Sequence, residues 1–219
     1  MVTMRKLSRG AEATIYLTKI FGKEAVVKIR ESKGYRVRVL DERIRYYRTR
    51  SEARTIFRAM TAGVPVPTLF GVGRFSICME KLEGVLLKDS RITPRQMRYA
   101  GAILSLLHNS NIVHGDFTPA NLIAKGGKLH VIDFGLSESS NSYEDKAVDL
   151  LLMKRAVSGP LYKHFSDSYF SSSRSSKAVL ARLSEIELRG RYRLRTLGPA
   201  TPGKSSTGNQ RSQTPQRQG

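Results

Sequence analysis

Two short stretches hold the residues best suited to chemistry: HGDFTPAN at 114–121 and VIDFGLSESS at 131–140. Together they offer two carboxylates, Asp116 and Asp133, and one amide, Asn121. Moving the terminal phosphoryl group of ATP needs a set of that kind. It requires Mg2+ on the phosphates, a cation on the phosphate oxygens, and a residue that orients the nucleophile. Hard cations take oxygen ligands, usually one or two carboxylates with phosphates and water. Asp133 ends a strand-like run before Phe-Gly, which places it at a sheet edge facing a cleft, and Gly135 lets the chain turn sharply there. Asp116 and Asn121 stand five residues apart, with Pro119 stiffening the span. Such a loop can aim Asp116 at a hydroxyl or water while the Asn121 oxygen meets the metal.

The elements that must position these residues are legible along the chain. Residues 13–20 and 24–30 are short β-branched runs joined by FGK and read as a hairpin. Residues 38–61 carry apolar side chains at roughly helical spacing and are dense in arginine, with Arg43, Arg45, Arg48, Arg50, Arg54 and Arg58 among them. Gly63 and the VPVP after it stop that helix. TLFGVG and FSICMEKL read as two more strands. Thr93-Pro94 offers an N-cap followed by proline at the first helical position. The apolar face behind it is Met97, Ala100, Ile103, Leu104 and Leu107, ending at Asn109 or Asn111. NLIA, the turn KGGK and LHVID form a second hairpin. EDKAVDLLLMKRAV and SSKAVLARLSEIELR read as helices, with a weaker one near 161–170. The fold class is therefore α+β: a small antiparallel sheet with one long helix, then a mainly helical part.

Bulk properties narrow the function classes. The 219 residues are enough for one domain or two small lobes with a real core. No apolar run approaches the ~20 residues that span a bilayer. The first dozen residues lack the apolar centre of a secretory signal. A single cysteine, Cys78, allows neither an intrachain disulfide nor a cysteine metal cage, and it reads as a core residue. These features fit a cytoplasmic protein. The charge is the unusual property: 38 Lys and Arg against 18 acids, a formal +20. Seven basic residues and no acid lie from Arg189 onward, so the remainder still holds 31 basic against 18 acidic residues. Such a surplus favours a polyanionic partner, nucleic acid first. From 196 onward the chain is polar, with Leu197 its one large apolar residue, and it reads as a disordered tail.

HGD…N followed by DFG resembles the catalytic and metal-binding loops of the protein-kinase superfamily. The resemblance implies a minimal bilobal kinase-like fold, with lobes at 1–82 and 83–195 and a tail at 196–219. It makes Asp116 the catalytic residue and Asn121 and Asp133 the metal ligands. AVVK at 25–28 matches the kinase lysine strand, so Val26 and Lys28 belong to the ATP site. Glu52 is the best-placed ion-pair partner for Lys28, with Glu42 as the alternative. Ser8, Arg9, Gly10, Ala11, Glu12 and Ala13 stand where a glycine-rich loop belongs, with one glycine in place of three. Met79, Glu80 and Leu82 mark the adenine hinge, and Ile123 floors the adenine pocket. Asp149 resembles the buried aspartate that steadies the catalytic loop. Only thirteen residues separate Gly135 from Asp149, with no Ala-Pro-Glu motif, so the peptide-docking segment of ordinary protein kinases is missing.

The combination of GAEA, YRTRSEAR, HGDFTPAN, DFGLS and RGRYR looks like the small atypical kinase/ATPase of the KEOPS complex. That complex installs threonylcarbamoyl groups on tRNA adenosine. The resemblance covers about residues 4–193. It implies ATP and Mg2+ as cofactors and an ATP-dependent serine/threonine kinase acting mainly as an ATPase. It also implies three partners: the threonylcarbamoyl transferase subunit, a small regulatory subunit, and tRNA. Arg189, Arg191, Arg193 and Arg195 form the basic end associated with tRNA. The competing readings are a RIO-like kinase, a small-molecule phosphotransferase of the aminoglycoside-kinase type, and a non-catalytic RNA-binding scaffold on a kinase fold.

Overall fold

The computed structural model describes residues 4–20 and 22–196, with 190–196 described by backbone alone. Contacts group Met1–Glu185 into one compact unit and Ile186–Gly219 into a second. The expected lobe boundary at residues 82 and 83 lies inside the first unit. The expected tail lies outside the described residues beyond Thr196.

The chain begins with β1 (Arg5–Arg9), β2 (Thr14–Ile20) and β3 (Lys23–Ile29), followed by α1 (Arg38–Thr61), β4 (Leu69–Val72) and β5 (Ser76–Glu80). These strands form one antiparallel sheet in the order β1-β2-β3-β5-β4. Lys28 pairs with Ile15 on one side and Ile77 on the other, which fixes it in the middle of the sheet. Side chains alternate across a strand, so Lys28 and Arg30 project to the same side. Helix α1 ends in a Schellman motif. Val64 N–H donates to the Ala59 carbonyl and Gly63 N–H to the Met60 carbonyl, each at 3.0 Å, with Gly63 at φ +81°.

Next come β6 (Val85–Leu86), α2 (Pro94–Asn109), β7 (Ile112–Val113), β8 (Leu122–Lys125), β9 (Lys128–Val131) and β10 (Glu138–Ser139). Then follow α3 (Tyr143–Ala156), α4 (Gly159–Ser172) and α5 (Ser176–Thr196). Helix α2 starts at a capping box, in which the Thr93 hydroxyl accepts from Gln96 N–H while Gln96 Oε1 accepts from Thr93 N–H. All five residues of its expected apolar face are buried, together with Phe165 and Tyr169 of α4. The two helices approach closely because residue 101 is glycine. A Cβ there would stand 2.2 Å from the Phe165 carbonyl oxygen. The β8–β9 hairpin turns through Gly126 and Gly127, both at positive φ, as a two-residue primed turn requires.

The helix expected near 161–170 is a full α4 over Gly159–Ser172, started by Pro160 in its first turn. Strand β1 and the two-residue strands β6, β7 and β10 carry no periodicity that a sequence reading could use. After Gly135 the chain passes through β10, which pairs with β7, and enters α3 at Tyr143. No separate segment intervenes, as the short spacing to Asp149 required.

Candidate active site

The site is assembled where the sheet and α1 meet the two loops at 114–121 and 131–140. Lys28, on β3, lies 2.6 Å from Glu52 Oε1 on α1 and 2.7 Å from Asp133 Oδ1. Glu52 is the partner, as the sequence favoured. Glu42 pairs instead with Arg38 at 3.3 Å and Arg74 at 3.1 Å. The other oxygen of Glu52 receives Arg30 at 2.6 Å, so one buried carboxylate holds two cations.

The loop 114–121 is fixed by a chain of hydrogen bonds. Asp149 is completely buried and accepts from His114 N–H at 2.8 Å and Gly115 N–H at 2.9 Å. His108 Nε2 completes that carboxylate at 3.1 Å, and its Nδ1 lies 2.7 Å from the Tyr169 hydroxyl. A carboxylate only accepts, so neutral His108 carries its proton on Nε2 and accepts from Tyr169 at Nδ1. Burial lowers the pKa of His108 and of His114, with Asp149 pulling both the other way. Burial also pushes Tyr169 up to about 12. His114 accepts Asp116 N–H at Nδ1, 3.3 Å away, and its Nε2 meets the Ile132 carbonyl at 3.2 Å. This imidazole ties the Asp116 loop to the residue before Asp133. Gly115 has φ +78°, and a Cβ on it would stand 2.4 Å from the Leu136 carbonyl oxygen. Glycine is therefore required beside Asp116.

Asn121 Nδ2 donates to the Asp116 carbonyl at 2.9 Å and to Asp116 Oδ2 at 2.8 Å. Its amide oxygen remains as an acceptor for a ligand. Asp133 adopts φ +59°, an uncommon conformation for a residue with a side chain. Strain of this kind persists where surrounding contacts over-determine it, and it gathers at functional sites. Here Gly135 N–H and Lys28 both hold Asp133 Oδ1. Burial raises the Asp133 pKa, but the Lys28 ammonium outweighs it and leaves the group below the ordinary carboxylate range.

A cavity of about 270 Å³ adjoins these groups. Val26, Lys28, Glu52, Met79, Glu80, Leu82, Asn121, Ile123 and Asp133 line it, all of them expected from the sequence. Lys81, inside the expected hinge at 79–82, lines it too, and Ile15, Ile56, Pro67, Ile132 and Phe134 also line it and were not anticipated. Glu80 faces Lys125 at 2.9 Å, which lowers its pKa. Asp116 meets the cavity through Asn121.

Ser8 and Arg9 end β1, and Gly10, Ala11, Glu12 and Ala13 make the turn into β2. The Gly10 N–H donates to the Ala13 carbonyl at 2.9 Å and closes that turn. None of the six lines the cavity. Glu12 instead contacts Arg48 of α1 and lies 3.9 Å from Arg30. The hydrogen bond from Arg48 lowers the Glu12 pKa. The sequence reading missed Arg30 and Arg48. The available signal was strand alternation, which sends Arg30 to the same face as Lys28. Arg189 lies on α5, as do Arg191, Arg193 and Arg195, whose side chains lie outside the described residues.

The donor set fits Mg2+. Asp133 offers a carboxylate whose side chain is 54% exposed, and Asn121 offers an amide oxygen. Among the described residues no group of three or more His, Cys, Asp or Glu could cage a metal. An ion here would draw its remaining ligands from phosphates and water, as Mg2+ commonly does.

Comparison with known proteins agrees with this geometry. Residues 20–157 match the RIO domain family. A Methanosarcina acetivorans protein named as a probable bifunctional tRNA threonylcarbamoyladenosine biosynthesis protein is 41% identical over 194 residues. That match covers 85% of this chain and 35% of the relative, so the chain spans about a third of the archaeal protein. The Dictyostelium discoideum EKC/KEOPS complex subunit bud32 is 36% identical, with 84% of this chain and 82% of that protein covered. The Encephalitozoon cuniculi EKC/KEOPS complex subunit BUD32 is 40% identical, covering 78% and 89%. The Rio2 kinase from Chaetomium thermophilum, solved with ADP/Mg2+ and phosphoaspartate, superposes with a TM-score of 0.60 at 19% identity. It covers 89% of this chain and 71% of that one, and it establishes a kinase-like fold. With a RIO-domain match over more than half of the chain and bud32 relatives covered to about four fifths or more of their length, the chain belongs to the RIO-domain family of atypical kinases and to its bud32-type branch.

Proposed function

We propose that this chain is an ATP-dependent phosphotransferase and ATPase that serves threonylcarbamoylation of tRNA adenosine as a KEOPS subunit. The observation that carries the reading is the unbroken contact chain Glu52–Lys28–Asp133 beside Asn121, all lining one cavity, with Asp116 held against it by Asn121. Lys28 is positioned to hold the phosphates of ATP, with Glu52 and Arg30 fixing its place. Asp133 and the Asn121 oxygen are the groups to hold Mg2+, which neutralises charge developing on the phosphates. Asp116 accepts the proton of the attacking hydroxyl or water, and Asn121 and Gly115 hold its orientation. Met79, Glu80 and Leu82 face the adenine, over Ile123. The passage from Gly135 almost directly into α3 leaves no platform for an extended peptide. Water or a serine of a docked partner is therefore the acceptor.

The names of the relatives support membership of a KEOPS complex, where the proposed partners are the threonylcarbamoyl transferase subunit and a small regulatory subunit, and the basic end at Arg189–Arg195 supports contact with tRNA. The test is ATP hydrolysis by the purified chain, alone and with tRNA and the transferase subunit. Hydrolysis should require Mg2+, rise with the partners, and disappear in Asp133→Ala. Wild-type rates in that variant would sink the metal assignment.

A further inference from the structure

Helix α1 has two faces of different character. At about 100° per residue, Arg43, Tyr47, Arg50 and Arg54 fall on one ridge, with Tyr46 beside it. Glu52 lies about half a turn away, facing the cavity. Arg43, Tyr46, Tyr47 and Arg54 are exposed, with Tyr47 at 60%. Nothing in the fold repays their placement, since none packs in the core.

The charges on this ridge are uncompensated. Helix α1 holds three carboxylates, and each is engaged elsewhere. Asp41 takes Arg45 at 2.7 Å, Glu42 takes Arg38 and Arg74, and Glu52 takes Lys28 and Arg30. Arg43, Arg50 and Arg54 have no carboxylate partner among the described residues. The Arg50 Nε is buried without a hydrogen-bond partner. The guanidinium of Arg43 lies 5.8 Å from the Tyr47 ring centre, and that of Arg50 lies 5.5 Å from Tyr46. The two rings meet edge to face at 6.0 Å. Tyr46, Tyr47, Arg50 and Arg54 border a shallow concavity of about 380 Å³.

We propose that this Arg–Tyr ridge of α1 is an RNA-binding surface that takes a single-stranded or looped segment. Arginines on a strip about 16 Å long follow the phosphates, and the two tyrosines offer faces on which bases stack. An acidic protein surface would use the charges but has little need of the rings, which is why RNA is favoured. The inference rests on the proposed tRNA role and adds contact residues beyond those of the basic end. None of these residues touches the nucleotide cavity, so ATP turnover without RNA serves as the folding control.

The test is fluorescence anisotropy with a labelled oligouridylate and a tRNA transcript, across a salt series, using the full chain. Arg43→Gln/Arg50→Gln/Arg54→Gln should bind at least tenfold more weakly. Its log–log salt slope for the oligouridylate should fall by about two, since each lost phosphate contact on a single strand removes roughly 0.7. Tyr46→Leu/Tyr47→Leu should weaken binding with the slope unchanged. RNA-free ATP hydrolysis should persist in both variants. Unlabelled oligouridylate should displace the probe better than polyglutamate of equal charge. Equal displacement by polyglutamate would assign the ridge to an acidic protein surface and overturn the proposal. A triple variant with wild-type affinity and slope would overturn it too. If truncation after Leu188 then abolished binding, the tRNA role would still stand, on the basic end alone. Absence of RNA binding by the wild-type chain would overturn both.

Discussion

At the scale of single residues, the site depends on sharing. One Glu52 carboxylate serves two cations, and one Lys28 ammonium serves two carboxylates. Glu52→Gln keeps the size of the side chain and removes its charge. Lys28 and Arg30 are then left with Asp133 and the more distant Glu12. ATP turnover should fall about 10- to 100-fold, the usual consequence of a catalytic group displaced by an ångström or so. Glu42→Gln, which loses only exposed pairs, should leave turnover unchanged. Steady-state hydrolysis of the two variants decides between them, and an equal loss in both would refute the pairing. Lys28, Glu52, Asp116, Asn121 and Asp133 could be picked from the sequence because each stands in a spaced motif with its own chemistry. Arg30 and Arg48 could not. Their partner Glu12 lies 18 residues before Arg30 and 36 before Arg48, and only the folded sheet brings them together.

At the scale of elements, the long periodic segments were the legible ones. Helix α2 and the two glycine-turned hairpins follow from apolar spacing, the Thr93-Pro94 start and the KGGK turn. Helix α1 forms where it was expected, but of the apolar positions that suggested it Leu40, Tyr47, Phe57 and Met60 are exposed and only Ile56 is fully buried, so its inner face is set by Asp41, Thr49, Glu52 and small residues instead. Strand β1 was not legible, because RKLSR is exposed along its whole length and shows no alternation. The strands β6, β7 and β10 hold two residues each, too few for any period. The packing of α2 on α4 was hidden for another reason. It depends on what glycine 101 leaves out, and a lone glycine within a helical pattern reads as a weakness. Gly101→Ala tests this. Alanine is the better helix former by about 1 kcal/mol, yet its methyl would meet the Phe165 carbonyl and the Tyr169 N–H of α4. The contact should win and the urea midpoint should fall. A raised midpoint would mean that α4 shifts freely and that the close approach is incidental.

At the scale of the whole molecule, stability should depend on pH through two histidines held neutral. Burial lowers the pKa of both His108 and His114 in the folded chain. In the unfolded chain each titrates near 6.5. Below that value the unfolded state binds more protons, so stability falls as pH drops toward the folded values. Asp133 acts at lower pH. Its folded pKa lies below the unfolded one, so its contribution is present above about 4 and is lost as pH falls through the folded value. Urea midpoints should be level from pH 8 to 7 and should drop between 6.5 and 5. A midpoint that rises over that interval would contradict the neutral assignment.

Helix α1 gives the molecule one more property. It is a single rod of 24 residues, about 36 Å long, with Glu52 turned toward the cavity beside Lys28 and the Arg–Tyr ridge turned away. Glu12, in the turn between β1 and β2, is fastened to the same rod through Arg48. A ligand on the outer ridge that favours one setting of the rod must also favour one setting of Lys28. Reciprocity then fixes the rest: whatever factor RNA applies to the affinity for ATP, ATP applies to the affinity for RNA.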